Sequence, residues 1–179
     1  MSKHHRNRNW APAPQPLPED AHVIDNHTHV ASVVPFSQAM SHEAMEKGQG
    51  EVPVYSVDEL LEQAQKVGVE GVIDCGCELP NLMTAIDMAR EHPGTVHAAI
   101  AIHPNEAVLH GHRGAPGSDG LPIKYKPWHD IPFDEAMAEV HRLATTYPNQ
   151  VVAIGETGMD LFRTCLLYTS PSPRDRSLS

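Results

Sequence analysis

Two histidines one residue apart follow the first apolar segment of the chain. Val23 and Ile24 lead into Asp25, His27 and His29, which occupy alternate positions. Alternate side chains of an extended strand share a face, so these three groups are predicted to point the same way. Two imidazoles presented together can bind one divalent metal ion, and a nearby carboxylate can orient a ligand histidine or approach the metal. A surface His-x-His pair without function is the alternative in a chain with 13 histidines.

A glutamate takes the same place after a later apolar segment. Glu156 follows residues 151–154 and has Gly155 and Gly158 close to it in sequence. A carboxylate just beyond a buried strand is costly unless it is paired or bound to metal. Its two oxygens could bridge two ions, and the glycines allow a close approach of backbone or substrate. A helix-capping or salt-bridged glutamate is the alternative interpretation.

A third ligand-type residue, His103, follows residues 96–102, which are apolar except for His97. Taken alone, such a histidine is usually a polar residue whose ring nitrogens have hydrogen-bond partners and no function in binding or catalysis. Active sites of parallel barrels collect at the carboxyl ends of the strands, however. Three of the four predicted strand ends carry residues of this kind, which indicates one shared site.

The elements that must position these residues alternate along the chain. Apolar runs predict strands near 22–27, 69–75, 96–102 and 151–156, and helical spacing predicts helices near 57–67, 80–91 and 133–146. The residues between the first strand and about Tyr55 are predicted to be a variable stretch. Strand and helix alternation favours an α/β fold with a parallel sheet. We expect the first four βα units of a (β/α)8 TIM-type barrel, with an open doubly wound sheet as the competing fold.

Composition divides the 179 residues into three parts. Residues 1–21 are basic and proline-rich and are predicted to be a flexible leader. Residues 22–164 are expected to be the N-terminal half of the barrel. Residues 165–179 are rich in serine, lack periodicity, and are expected to be an unstructured tail that arises from truncation.

Charge and cysteine content exclude some classes of protein. Lys and Arg number 13 against 23 Asp and Glu, a net charge of −10, which is unlike a dedicated nucleic-acid-binding module. An enzyme that meets phosphate through bound metal stays compatible with this charge. Cys75, Cys77 and Cys165 do not form a disulfide framework, and the Cys-x-Cys pair is interpreted as small buried residues. No apolar run reaches the roughly 18 residues of a membrane span, and a secretory signal is not recognisable, so a cytoplasmic protein is predicted.

A long loop at residues 105–131 interrupts the alternation and is rich in glycine and proline. It leaves the third strand at its carboxyl end, so it could cover the mouth of the site. Its cations and rings could then contact a nucleic acid strand; they are Lys124, Tyr125, Lys126, Trp128 and His129. A solvated surface insertion is the alternative.

Three segments give these observations a family context. VIDNHTHV, AIHPNEA and VVAIGETGMDLFRT resemble, in order and spacing, the N-terminal signatures of TatD-family deoxyribonucleases, over residues 23–164. Those enzymes belong to the amidohydrolase-like metal hydrolases and have a (β/α)8 barrel. The resemblance implies that His27 and His29 hold one divalent ion and that Glu156 bridges to a second, the ions being Mg, Mn or Zn. It makes Glu156 and His103 the candidate catalytic residues, with His103 lining the site without being a ligand.

The chain departs from the family pattern in two respects. Ala101 stands where the family usually has glycine, which is a mild change. The family also takes two further histidine ligands and a late aspartate from the second half of the barrel, and this sequence has no such half.

The function implied by the resemblance is metal-assisted hydrolysis of phosphodiester bonds. DNA, including single-stranded ends, is the predicted substrate, and neither a membrane nor a protein partner is predicted. The alternatives are another amidohydrolase-type hydrolase acting on amide or ring substrates, and a non-catalytic metal-binding fragment. The chain as written is expected to bind metal weakly and to be inactive.

Overall fold

The computed structural model describes residues 16–48, 53–114 and 124–158, and its centre is a four-stranded parallel sheet. The strands are β1 (Val23–Thr28), β2 (Val69–Gly76), β3 (Val96–Ile100) and β4 (Val151–Ile154). They lie in sequence order, and every neighbouring pair is parallel. This order confirms the predicted α/β class and matches the first units of a TIM-type barrel, whereas a doubly wound sheet reverses its strand order.

Helices connect the strands and cover one side of the sheet. They are α1 (Val30–Glu46), α2 (Val57–Lys66), α3 (Leu79–Glu91), the short α4 (Pro104–Ala107) and α5 (Phe133–Thr146), with a 3-10 helix at Pro127–Asp130. The helices predicted near 57–67, 80–91 and 133–146 agree with α2, α3 and α5. The third strand ends two residues earlier than predicted, but its extension still pairs with β2. The amide of Ala101 donates to the Gly76 carbonyl, and the amide of His103 donates to that of Cys77.

No helix was predicted in the variable stretch between β1 and Tyr55, but residues 30–46 form α1. This helix contains Pro35 and begins at His29 without a side-chain cap from its own first residues. It therefore lacks the capping signal that marks a helix start in a sequence. Its start is stabilised by Asp74 of β2, whose carboxylate accepts the Ala31 amide.

The hydrophobic core lies between the sheet and its helices. Its fully buried members come from α3, β3 and α5, and they include Leu82, Ile86, Val96, Ile100, Ala136 and Val140. The outer strands are less well covered: Ile24 of β1 is 57% exposed, and Val152 and Ile154 of β4 are 51% and 54% exposed. Packing is therefore tightest around the central strands β2 and β3, while the predicted metal ligands lie at the carboxyl ends of the outer strands β1 and β4.

The end of the predicted leader contacts the folded body. The amide of Leu17 donates to the Val67 carbonyl at 2.8 Å, and a Cβ placed on Gly68 would lie 3.0 Å from that of Leu17. Residues 1–15 and the predicted tail lie outside the described part of the chain. In that described part, no helix has the length and apolarity needed to cross a membrane.

We expect Ser56→Ala to lower the free energy of unfolding by about 1 kcal/mol, within the roughly 0.5–2 kcal/mol range of N-cap losses. The Ser56 hydroxyl accepts the Glu59 amide at 3.2 Å, and the Glu59 carboxylate accepts the Ser56 amide at 2.8 Å. This capping box satisfies two amide groups that start α2. Urea unfolding measures the change. The Ser56 hydroxyl also donates to the Glu59 carboxylate at 2.9 Å. Ser56→Thr keeps this hydroxyl and should be nearly neutral, so equal stability of the two variants would contradict the assignment.

Candidate metal centre

The carboxyl ends of three strands bring His27, His29, His103 and Glu156 together. One Glu156 oxygen, Oε1, lies 2.6 Å from His27 Nε2 and 3.5 Å from His29 Nε2. The other, Oε2, lies 2.9 Å from His103 Nε2. The Glu156 side chain is 26% exposed, against 53% for His27 and 45% for His29. The carboxylate therefore sits at the floor of a cluster that opens to solvent on the histidine side.

A carbonyl of β2 orients His29. Its Nδ1 lies 3.1 Å from the Cys75 carbonyl oxygen, which can only accept, so Nδ1 carries the proton and donates. In the neutral ring, Nε2 then keeps the lone pair that a metal ion would need, 3.5 Å from Glu156 Oε1. Metal-binding histidines are usually held in this way by a hydrogen bond at their second nitrogen.

His103 has the opposite tautomer. Its Nδ1 accepts the Asn105 amide at 3.1 Å at the start of α4, so this nitrogen carries no proton. In the neutral ring, the proton is therefore on Nε2, which donates to Glu156. This geometry holds the carboxylate in place and leaves His103 Nε2 without a lone pair for an ion.

Asp25 does not reach a ring nitrogen of either neighbour. Its carboxylate accepts the backbone amide of His27 at 3.2 Å. The sequence predicted that Asp25 would either orient a ligand histidine through its second ring nitrogen or approach the ion, and this backbone contact is neither of the two. β1 is irregular here, with a shift of register against β2 between Asp25 and Thr28.

The three side chains of His27, His29 and Glu156 have the dimensions of a metal site. Each offers one ligand atom, and these atoms lie within 4.8 Å of one another. Two bonds of about 2.1 Å from one ion place the ligand atoms up to about 4.2 Å apart, so the 3.5 Å between His29 and Glu156 fits directly. The 2.6 Å hydrogen bond between His27 and Glu156 would be replaced by two metal bonds.

Asp74 is a site residue that the sequence patterns did not single out. It belongs to β2, is 1% exposed, and accepts the Ala31 amide at 3.4 Å. Burial raises the pKa of Asp74, and the amide bonds from Ala31 and Val30 and the nearby His29 oppose that shift only in part. The signal in the sequence is a charged residue inside the apolar run of a buried strand. Asp74 supplies the acceptor that the start of α1 lacks, and so anchors the helix that follows His29.

We expect Asp74→Asn to raise the melting temperature at about pH 7 by about 2–4 °C. Asparagine keeps an acceptor for the α1 amides and cannot ionise. A carboxyl whose pKa is raised by folding stabilises the fold below its unfolded pKa, and that contribution is lost as pH rises through the folded pKa. The difference between variant and wild type should therefore shrink toward about pH 3, which is below the unfolded pKa, so that Asp74 is mostly protonated in both states. Thermal melts at both pH values test this, and a less stable variant at about pH 7 would contradict it.

The two described cysteines remain thiols. Burial raises the pKa of Cys77 to about 11, and burial also raises the pKa of Cys75. A thiolate is the form that binds metal or attacks an electrophile. Both residues are near the end of β2, and they are half-buried and not buried as predicted. The raised pKa values argue against a metal or redox role.

Part of the long loop packs onto itself. His129 is 2% exposed and its Nε2 lies 2.7 Å from the Glu106 carboxylate, while the Tyr125 hydroxyl donates to the His129 carbonyl at 2.7 Å. His129 therefore cannot stack on a nucleic acid strand as proposed from the sequence. Lys126 lies 5.1 Å from the half-buried Trp128 ring, and residues 115–123 of the loop lie outside the described part.

Comparison with known proteins agrees with the fold. A family model described as "TatD related DNase" matches residues 24–177, a range that extends into the segment predicted to be a tail. The "3'-5' ssDNA/RNA exonuclease TatD" of Musicola paradisiaca (strain Ech703) is 29% identical over 122 residues. That alignment covers 68% of this chain and 36% of the relative, so the chain spans about a third of the relative's length.

Proposed function

Because the chain belongs to the TatD-related DNase family, we propose that it carries the metal-binding end of a divalent-metal-dependent hydrolase that cleaves phosphodiester bonds in DNA. The observation that carries this proposal is the meeting of His27, His29 and Glu156 at the carboxyl ends of β1 and β4. Active sites of parallel barrels lie at this end. The name of the Musicola relative makes single-stranded DNA the substrate to test first.

The residues of the site have different roles, as a metal ligand or as a group that positions one. Neutral His29 presents Nε2 as a ligand because Cys75 holds its other nitrogen. His103 donates to Glu156 and keeps that carboxylate turned toward His27 and His29. A bound divalent ion would supply positive charge to the phosphate oxygens and lower the pKa of a bound water. This supply of positive charge suits a chain with a net charge of −10, which has little basic surface to attract phosphate.

We also propose that this chain by itself binds one ion weakly and does not turn over substrate. In the described residues, the group that fits a metal has three members. Three protein ligands can hold a catalytic ion when they are well preorganised. A two-ion mechanism needs further ligands for its second ion, however.

Hydrolysis of labelled single-stranded DNA with Mg²⁺ or Mn²⁺ tests the proposal. The 179-residue chain is compared with a version extended beyond Thr164 by the corresponding segment of a longer family member. The extended protein should cleave DNA, its Glu156→Ala variant should not, and the short chain should be inactive. Hydrolysis of a cyclic amide but not of DNA would make the proposed substrate wrong. Cleavage by the short chain that is lost in Glu156→Ala would show that three ligands suffice.

A further inference from the structure

A cavity of about 240 Å³ opens beside the metal centre. It lies between the start of α1, the end of β2 and one face of α3, and its wall includes His29, Ser32, Asp74, Glu78, Asn81 and Thr84. His29 belongs to both the cavity and the metal centre, so a molecule in the cavity would be next to a bound ion. Pockets for drug-sized ligands measure about 300–1,000 Å³, so this smaller space suits one ring or sugar unit.

The charged side chains that line the cavity are acidic, which excludes a phosphate as the ligand of the cavity. Among the described residues that line the cavity there is neither lysine nor arginine, while Asp74 and Glu78 bring carboxyl groups. Phosphate groups are normally held by Arg, Lys, metal ions or backbone amides. If the ion binds the phosphate of a nucleotide, the cavity beside it would bind the uncharged base or sugar.

Two polar side chains of the wall have no hydrogen-bond partner among the described residues. The Ser32 hydroxyl already donates to the His29 carbonyl, and the Thr84 hydroxyl donates to the Pro80 carbonyl. By contrast, the side chains of Asn81 and Glu78 make no hydrogen bond with any other described residue, although Glu106, Lys126 and His129 act electrostatically on the Glu78 carboxyl. An amide and a carboxylate are the groups that proteins use to bind the amino-bearing edges of adenine and cytosine.

We propose that this cavity is the subsite for the base of the nucleotide beside the scissile phosphate, and that it selects bases with an exocyclic amino group. The Glu78 carboxylate and the Asn81 amide oxygen accept from that amino group, and the Asn81 amide nitrogen donates to the adjacent ring nitrogen. Thymine would instead bring a carbonyl oxygen toward the carboxylate. The identity of the substrate rests on the proposed function, whereas the shape and chemistry of the cavity do not.

Binding of free nucleosides to the 179-residue chain tests the subsite without metal or turnover. Saturation-transfer NMR in EDTA is used with deoxyadenosine, deoxycytidine and thymidine as probes. We expect the first two to bind at least about fivefold more tightly than thymidine, the lower limit for a paired base contact. Asn81→Leu should remove this preference, and Thr84→Phe should block all three probes by filling the cavity. Glu91→Gln, at the far end of α3, is the control and should bind like the wild type.

The outcomes separate this inference from the proposed function. Absence of binding by all three probes, or equal binding by wild type and Thr84→Phe with unchanged melting temperatures, would overturn the subsite. Thymidine bound as tightly as deoxycytidine would overturn the selection for an amino group. A parallel Mn²⁺ titration reports on the metal centre, so nucleoside binding without metal binding would leave the subsite standing and remove support for the hydrolase.

Discussion

Replacing Glu156 by alanine is expected to weaken divalent-metal binding by at least about 100-fold, since loss of an outer hydrogen-bond partner alone costs about 10–100-fold. Glu156 is the one carboxylate of the three-residue group, and both His27 and His29 meet it. Its removal leaves two neutral imidazoles and no charge to balance the ion. Isothermal titration of Mn²⁺ or Zn²⁺ into the 179-residue chain measures the change.

Two further variants sharpen this test. His103→Ala should cost only about tenfold in metal affinity, because His103 positions the carboxylate and is not itself a ligand. Glu135→Ala, on the exposed side of α5, is the matched control and should leave affinity unchanged. If Glu156→Ala bound metal as tightly as the control, the proposed centre would be wrong. An equal loss in His103→Ala and Glu156→Ala would make His103 a ligand.

We expect Gly76→Ala to lower the free energy of unfolding by about 1–3 kcal/mol, the usual cost of overpacking a core. Gly76 ends β2, and the first turn of α3 packs directly on it. A Cβ at Gly76 would lie 2.7 Å from the Asn81 carbonyl oxygen and 3.1 Å from the Leu82 Cα. Both atoms belong to backbone, and Leu82 is fully buried, so α3 would have to move.

Urea unfolding of Gly76→Ala and Gly71→Ala tests this steric argument. Gly71 is in the same strand, where the nearest atom to an added Cβ is the Thr95 carbonyl oxygen at 3.2 Å. Its substitution should cost less, because a shift of a few tenths of an ångström relieves that contact. A smaller loss of stability at Gly76 than at Gly71 would show that α3 is not held against the end of β2 in this way.

Much of the fold could be predicted from local patterns. The apolar run before His103 forms β3, which is buried and mostly apolar, as strands inside a parallel sheet usually are. Shorter apolar runs mark the start of β1 and the length of β4, which are more exposed. The capping box at Ser56 marks the start of α2 for a similarly local reason. Placement of ligand-type residues after parallel strands was enough to predict that they would meet at one edge of the sheet.

The sequence by itself thus determined the α/β class and the edge of the sheet at which His27, His29, His103 and Glu156 lie, whereas the order of the strands, which separates a barrel from a doubly wound sheet, came from the structure. Only the tertiary structure decided how these groups act. Helix α1 has its cap from Asp74, which is 43 residues from Ala31 in the chain, so no local pattern reveals it. The tautomers of His29 and His103 depend on which backbone group meets Nδ1, a carbonyl in one case and an amide in the other. The cavity beside them exists because α1, β2 and α3 pack together, and contacts between distant segments are set by packing and not by spacing along the chain.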